Sequence, residues 1–257
     1  MYVNSFFYSS LATNPFFDAY LQSDVLGKMI FLGLFALSIF SWILIIYKGW
    51  LVHRARKYSI QFYEAFELQR SNPLSLECEN SARRKQPNPF LDLYSILKKH
   101  TIEILNKNRR FGQQNQQENQ TESAALSYLS PADIDIVEAH LMSNMANQTK
   151  YLEKNLFYLS TIVSLAPFLG LLGTVWGILT TFSELQTQGG GGTHQMVLGG
   201  ISLALATTVL GLIDAIPALI GYNYLRNSIN DFQIEMDGFS NEILASVEMQ
   251  YRKVDVL

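Results

Sequence analysis

The chain has 257 residues, 48% of them hydrophobic and 16% charged, with a net charge of −3. A soluble domain carries about 25% charge; here the deficit is concentrated in three nearly charge-free stretches, which excludes an ordinary soluble globule. The single cysteine, Cys78, excludes an intrachain disulfide and cysteine-based metal clusters, and reads as a small side chain in a reduced cytosolic segment.

Residues 1–28 contain Phe6, Phe7, Tyr8, Phe16, Phe17 and Tyr20, a pattern expected of an interfacial segment on the outer face of a membrane. A cleaved signal peptide fits poorly, because this segment has no basic n-region. Residues 29–47 follow as a run without formal charge between Lys28 and Lys48. A spanning helix needs about 20 mostly apolar residues, so this run is read as the first transmembrane helix.

Residues 48–155 hold most of the charge. The spacing of Tyr58, Phe62, Ala65 and Phe66 predicts that the first span continues as a helix. Asn88-Pro89 marks a break, and 90–105 reads as an amphipathic helix. The polar, low-complexity stretch within 112–123 predicts a disordered loop. Ser130-Pro131-Ala132-Asp133 then has the form of a helix N-cap with proline at the first helical position. From there a helix is expected through Ile134, Val137, Leu141 and Met145 into the second span. His100 and His140 are far apart in sequence, lack ligand-like neighbours and are assigned structural roles.

Residues 156–183 and 197–225 are the second and third spans, joined by an outer loop over 184–196 whose Gly189–Gly192 run reads as flexible. The tail, 226–257, carries Ile229, Phe232, Met236, Phe239, Ile243, Leu244 and Val247 on one helical stripe. Of the 19 Lys and Arg, 15 lie between Lys48 and Lys154, and the 184–196 loop has none. The positive-inside rule then places the N-terminus in the periplasm and the middle segment and tail in the cytoplasm. The expected fold is an all-α membrane protein of three transmembrane helices with long cytoplasmic helical extensions.

In the second span Ser160, Pro167, Thr174 and Thr181 recur every seven residues and share a face. Gly170, Gly173 and Gly177 open that helix to close packing. In the third span Gly200, Ala204 and Thr208 form one small-residue stripe, and Thr207, Gly211 and Ala215 form another. Asp214 is the ionisable group of this span. By default such a group marks an ion path or a charge partner; near the cytoplasmic end, a structural interfacial role is the alternative. Thr207, a heptad earlier, is expected to line a polar interior with it.

The stretch Leu165–Ile178, with its GTVWG core, resembles the APFIGLFGTVWGI signature of the MotA/TolQ/ExbB proton channel family. Ala206–Ala218, ending in Ile-Pro-Ala, is similar to that family's ATAIGLxAAIPA stretch. The resemblance is closest to TolQ and ExbB, and the three-span topology agrees with it. It implies a homo-oligomer, a pentamer, around the single spans of a TolR- or ExbD-like partner that supplies a membrane aspartate, with a TonB- or TolA-like protein beyond. It further implies a multi-pass protein of the bacterial inner membrane, in contact with lipid, that harnesses the proton motive force for Tol-Pal-like envelope maintenance or TonB-dependent import. The family's membrane threonines fall on Thr174 and Thr208; Thr181, Thr207 and Asp214 complete the candidate ion path.

One departure is marked. Aligned without gaps, Leu203 occupies the position of the glutamate in the family's IAEALxAT pattern. Asp214 follows eleven residues later, near three full turns and about 16 Å along the helix. Either Asp214 takes over the titrating role, or the partner's aspartate and the threonines suffice, or the chain is a non-conducting scaffold of the same fold. No nucleophile, acid–base pair, metal cluster or phosphate loop is visible in the sequence. The chain therefore reads as a non-enzyme, without cofactor, metal or nucleic-acid partner. Three spans without an internal repeat also offer no midplane substrate site for a secondary transporter.

Overall fold

The computed structural model describes residues 16, 20–21, 23–70, 72–76, 87–116, 128–187 and 194–252. Among the described residues five long helices follow in order: α1 (Val25–Glu67), α2 (Pro89–Gln116), α3 (Pro131–Glu153), α4 (Leu156–Thr187) and α5 (His194–Tyr251). Among the described residues there is no strand, only an isolated bridge between Leu129 and Arg252. Among the described residues three helices, α1, α4 and α5, are long and apolar enough to cross a membrane. The described residues are thus those of a helical, multi-pass membrane protein.

The chain divides into two compact units. The first comprises residues up to Tyr47 together with Asn155–Leu225; the second comprises Lys48–Lys154 and Arg226 onward. In the first unit, small or polar residues such as Ser41, Ala166, Ala204, Thr207, Ala215 and Ala218 are buried, while Phe35, Trp42, Phe168, Val175, Ile213 and Ile220 are exposed. This is the arrangement lipid imposes. Lipid tails are as apolar as Leu, so helices associate through close contact of small residues and leave large apolar side chains outward. Pro167 and Pro217 lie inside α4 and α5, a placement that membrane helices tolerate.

The second unit has a conventional aromatic core. Phe90 stacks on Phe239 with ring centroids 4.4 Å apart, and Phe66 meets both Tyr94 and Phe239 edge-on. Every member of the tail stripe is buried except Leu244, which is half-buried. On α1, Phe66 is buried and Tyr58 and Phe62 half-buried, while Ala65 points outward. Asn88 caps α2: its Oδ1 accepts from the Leu91 N–H at 3.2 Å, and Pro89 follows it. Lys48 is buried and donates its ammonium to the Leu152 carbonyl at 3.1 Å. That carbonyl belongs to the last turn of α3, where carbonyls lack helical partners and a cation is favoured.

Three boundaries differ from the sequence reading. The α2 helix runs to Gln116, so the expected loop within 112–123 is helical over its first residues. The α4 helix reaches Thr187 and α5 starts at His194, so both helices extend into the segment read as the 184–196 loop. The α3 helix does not run into the second span. It stops at Glu153, and Asn155 takes a left-handed φ of 75° before α4 begins; asparagine is among the few residues that tolerate this conformation. Cys78, residues 117–123, Gly189–Gly192 and the aromatics Phe6, Phe7, Tyr8 and Phe17 lie outside the described residues.

Candidate functional site

The close contact of α4 and α5 is built from glycine. A Cβ placed on Gly170 would lie 3.0 Å from the Thr207 carbonyl oxygen, and one on Gly211 would lie 2.7 Å from the Ala166 carbonyl oxygen. At Gly173 it would fall 2.6 Å from Thr207 Cβ, and at Gly200 2.9 Å from Thr181 Cβ. Gly177 has slightly more room, with Ala204 Cβ at 3.2 Å. All five glycines singled out in the sequence therefore lie along one seam between these two helices. Their missing side chains set how closely the backbones approach.

The hydroxyls along the seam bond to backbone carbonyls. Thr207 is 1% exposed and donates to the Ala204 carbonyl at 2.8 Å, within 3.4 Å of the Gly170 carbonyl as well. Thr208 donates across the seam to the same Gly170 carbonyl at 3.1 Å. Thr181 is 6% exposed and donates to the Gly177 carbonyl at 2.7 Å. Thr174 does not join them. The buried stripe of α4 runs through Leu159, Ile162, Ala166, Gly170, Gly173, Gly177 and Thr181. Thr174 is one position off that stripe, half-buried, and turns its hydroxyl back to the Leu171 carbonyl at 2.6 Å. The seven-residue spacing fails here because an α-helix drifts by about 20° per heptad.

Asp214 is 4% exposed and faces α1. Its Oδ1 lies 3.3 Å from the Ser41 hydroxyl, and its Oδ2 is enclosed without a hydrogen-bond partner. Ser41, 2% exposed, also reaches the Ser38 carbonyl at 2.9 Å. The structure thus pairs Asp214 with serines of the first span, whereas Thr207 bonds along the α4–α5 seam. Within one subunit Asp214 thus contacts α1, while Thr207 and Thr208 contact α4. Ser38 and Ser41 were not singled out from the sequence, although two serines three residues apart in an apolar run were a legible signal. Leu203 has its backbone in α5, and its side chain lies outside the described residues.

Next to the start of α1 the Trp176 indole donates to Asp24 Oδ2 at 2.8 Å. In the second unit His100 and His140 stack with ring centroids 3.9 Å apart, although they are distant in sequence. Burial, the neighbouring His140 and Lys99 hold His100 below its usual pKa, with Glu103 opposing. Among the described residues, no group of three or more His, Cys, Asp or Glu is placed to hold a metal ion.

Comparison with known proteins gives a consistent result. The description of the MotA/TolQ/ExbB proton channel family matches residues 108–238, just over half of the chain and inclusive of the whole α4–α5 seam. A biopolymer transport protein ExbB of Aquifex aeolicus is 40% identical over 103 residues, covering 40% of this chain and 69% of that protein. A Tol-Pal system protein TolQ of Haemophilus influenzae is 37% identical over 106 residues, 41% of this chain and 46% of that protein. A TolQ of Pseudomonas aeruginosa is 29% identical over 202 residues, 79% of each chain. The match to the Haemophilus protein spans less than half of that protein's length.

Proposed function

The chain belongs to the MotA/TolQ/ExbB proton channel family, and from that membership we propose that it is the channel subunit of a TolQ/ExbB-type complex of the bacterial inner membrane. Its role is to energise a partner protein rather than to catalyse a reaction. Five copies surround the single spans of a TolR- or ExbD-like protein, and proton passage drives relative movement of the two components, passed on to a TonB- or TolA-like protein. The N-terminus is periplasmic and the tail cytoplasmic, a reading supported by the Lys and Arg concentrated between residues 48 and 154. The driving force is adequate, since one charge crossing 100 mV is worth about 2.3 kcal/mol. The match over 108–238, which takes in both glycine-lined spans, is the observation that carries this reading. Relatives named for the Tol-Pal system and for biopolymer transport support envelope maintenance and TonB-dependent import alike.

A second reading rests on Leu203, which stands where the resemblance calls for a glutamate: a scaffold that keeps the fold without conducting. Proton flux into liposomes containing the chain and its one-span partner separates the two. Flux across an imposed gradient is the expected result; its absence from a sample shown to be assembled would leave the scaffold. If Asp214→Asn abolishes the flux, the titrating group of the path is Asp214; if flux persists, the path runs through the partner and the threonines.

A further inference from the structure

The two contacts of the Ser41 hydroxyl cannot both be hydrogen bonds if the Asp214 carboxyl is ionised. Ser41 has one hydroxyl hydrogen and two acceptors, the Ser38 carbonyl at 2.9 Å and Asp214 Oδ1 at 3.3 Å. Directed along the shorter contact, that hydrogen leaves Oδ1 and Ser41 Oγ facing each other with no proton between them. The Oδ2 atom is enclosed and unpartnered in any case. A buried carboxylate with no counter-ion, and only the hydroxyls of Ser41 and Ser38 as donors, is a costly arrangement. No counter-ion is available from the helices packed here. The first span has no formal charge from Met29 to Tyr47, the second has none from Leu156 to Ser183, and the third has none but Asp214 from Val197 to Asn223. Of the side chains on α1, Ser41 and Ser38 are those that reach the carboxyl.

We propose that Asp214, Ser41 and Ser38 form a proton-binding site inside each subunit, between its first and third spans. In the loaded state Asp214 carries the proton on Oδ1 and donates it to Ser41 Oγ, while the Ser41 hydrogen goes to the Ser38 carbonyl. Every short contact then has its hydrogen, and Oδ2 is left as a neutral carbonyl oxygen. On release the proton passes from Oδ1 to water, the carboxylate remains, and the Ser41 hydroxyl turns from the Ser38 carbonyl to donate to Oδ1. The two acceptors of Ser41 are the two settings of this switch. The site is separate from the α4–α5 seam, where Thr207 and Thr208 bond to Gly170. Its part in turnover rests on the proton-channel reading, but its occupancy does not.

Infrared spectroscopy of the full chain in lipid nanodiscs at neutral pH reads the proton directly, through the carbonyl stretch of an un-ionised carboxylic acid. The expected result is such a band in the native chain, lost in Asp214→Asn and moved to higher frequency in Ser41→Ala, where the acid loses its acceptor. A serine with only a packing role would not move the band. If Asp214→Asn does not fold, carbon-13 labelling of the aspartate carboxyls in the native chain must shift the band. A native spectrum with no acid band that responds to the substitution or the label overturns the proposal. A complex that shows the band yet passes no protons would defeat the channel reading and leave this site standing.

Discussion

Gly173 lies against Thr207 so closely that a methyl group on the glycine would fall 2.6 Å from the threonine Cβ. Neither partner can yield cheaply, because Thr207 is buried and its hydroxyl is bonded to the Ala204 carbonyl. Gly173→Ala is expected to destabilise the first unit by about 1–3 kcal/mol through overpacking. Gly177→Ala, with its nearest neighbour at 3.2 Å, should cost less, and Gly33→Ala, with nothing within 4 Å, should leave stability unchanged or slightly raised. Thermal unfolding of the three variants in one detergent checks this order, and equal losses for Gly33 and Gly173 would refute it.

In the second unit two visible interactions differ greatly in weight. Phe239 is buried, stacked on Phe90 and met edge-on by Phe62, Tyr63 and Phe66. Phe239→Ala is expected to cost about 3–5 kcal/mol. Arg56 and Glu235 form a two-pronged ion pair, with Nε 3.1 Å from Oε2, but their side chains are 43% and 33% exposed. Water and salt screen such a pair, so a double-mutant cycle should return a coupling below about 1 kcal/mol. A coupling as large as the loss at Phe239 would show that the pair is shielded from solvent in the assembled protein.

The three spans were legible because a membrane demands long apolar runs, and the glycine seam because its contacts recur at helical spacing. The tail stripe was legible for the same reason. What Asp214 faces was not, since its partner Ser41 is 173 positions away and periodicity within one helix carries no information on its register against another. The heptad argument for Thr174 failed through accumulated drift. The stacking of His100 on His140 was not legible, because α2 and α3 meet only after folding and the two residues are 40 positions apart.

His100 gives the second unit a pH dependence of definite sign. Its protonation is opposed in the fold by burial, by His140 and by Lys99, with Glu103 only partly offsetting them. The unfolded chain therefore takes up a proton first as pH falls below the usual 6.5. Stability is full above that value and declines as pH drops towards the folded-state pKa. His100→Gln should flatten that decline between pH 7 and pH 5, measured by thermal unfolding. A steeper decline in the variant would reverse the assignment.

The start of α3 makes the opposite kind of group useful. Ser130 Oγ accepts from the Asp133 N–H at 3.2 Å, while Asp133 Oδ2 accepts from the Ser130 N–H and hydroxyl, both at 2.9 Å, closing a reciprocal cap. The same Oδ2 accepts from the Asn108 amide of α2 at 3.0 Å, so one carboxylate both caps α3 and joins it to α2. Burial opposes ionisation of Asp133, but these donors and the Lys107 charge outweigh it and hold the pKa below its usual 3.8. The stabilisation is therefore present above that value and lost as pH falls through the folded-state value. Ser130→Ala removes one half of the cap and should cost about 1 kcal/mol. Asp133→Ala also leaves the Asn108 amide without this acceptor, and is expected to cost more, up to about 2 kcal/mol. Hydrogen exchange along α3 is the direct check: protection of the first-turn amides should fall in both variants, and protection in α2 around Asn108 only in Asp133→Ala. Equal effects on α2 would mean that the Asn108 contact does not couple the two helices.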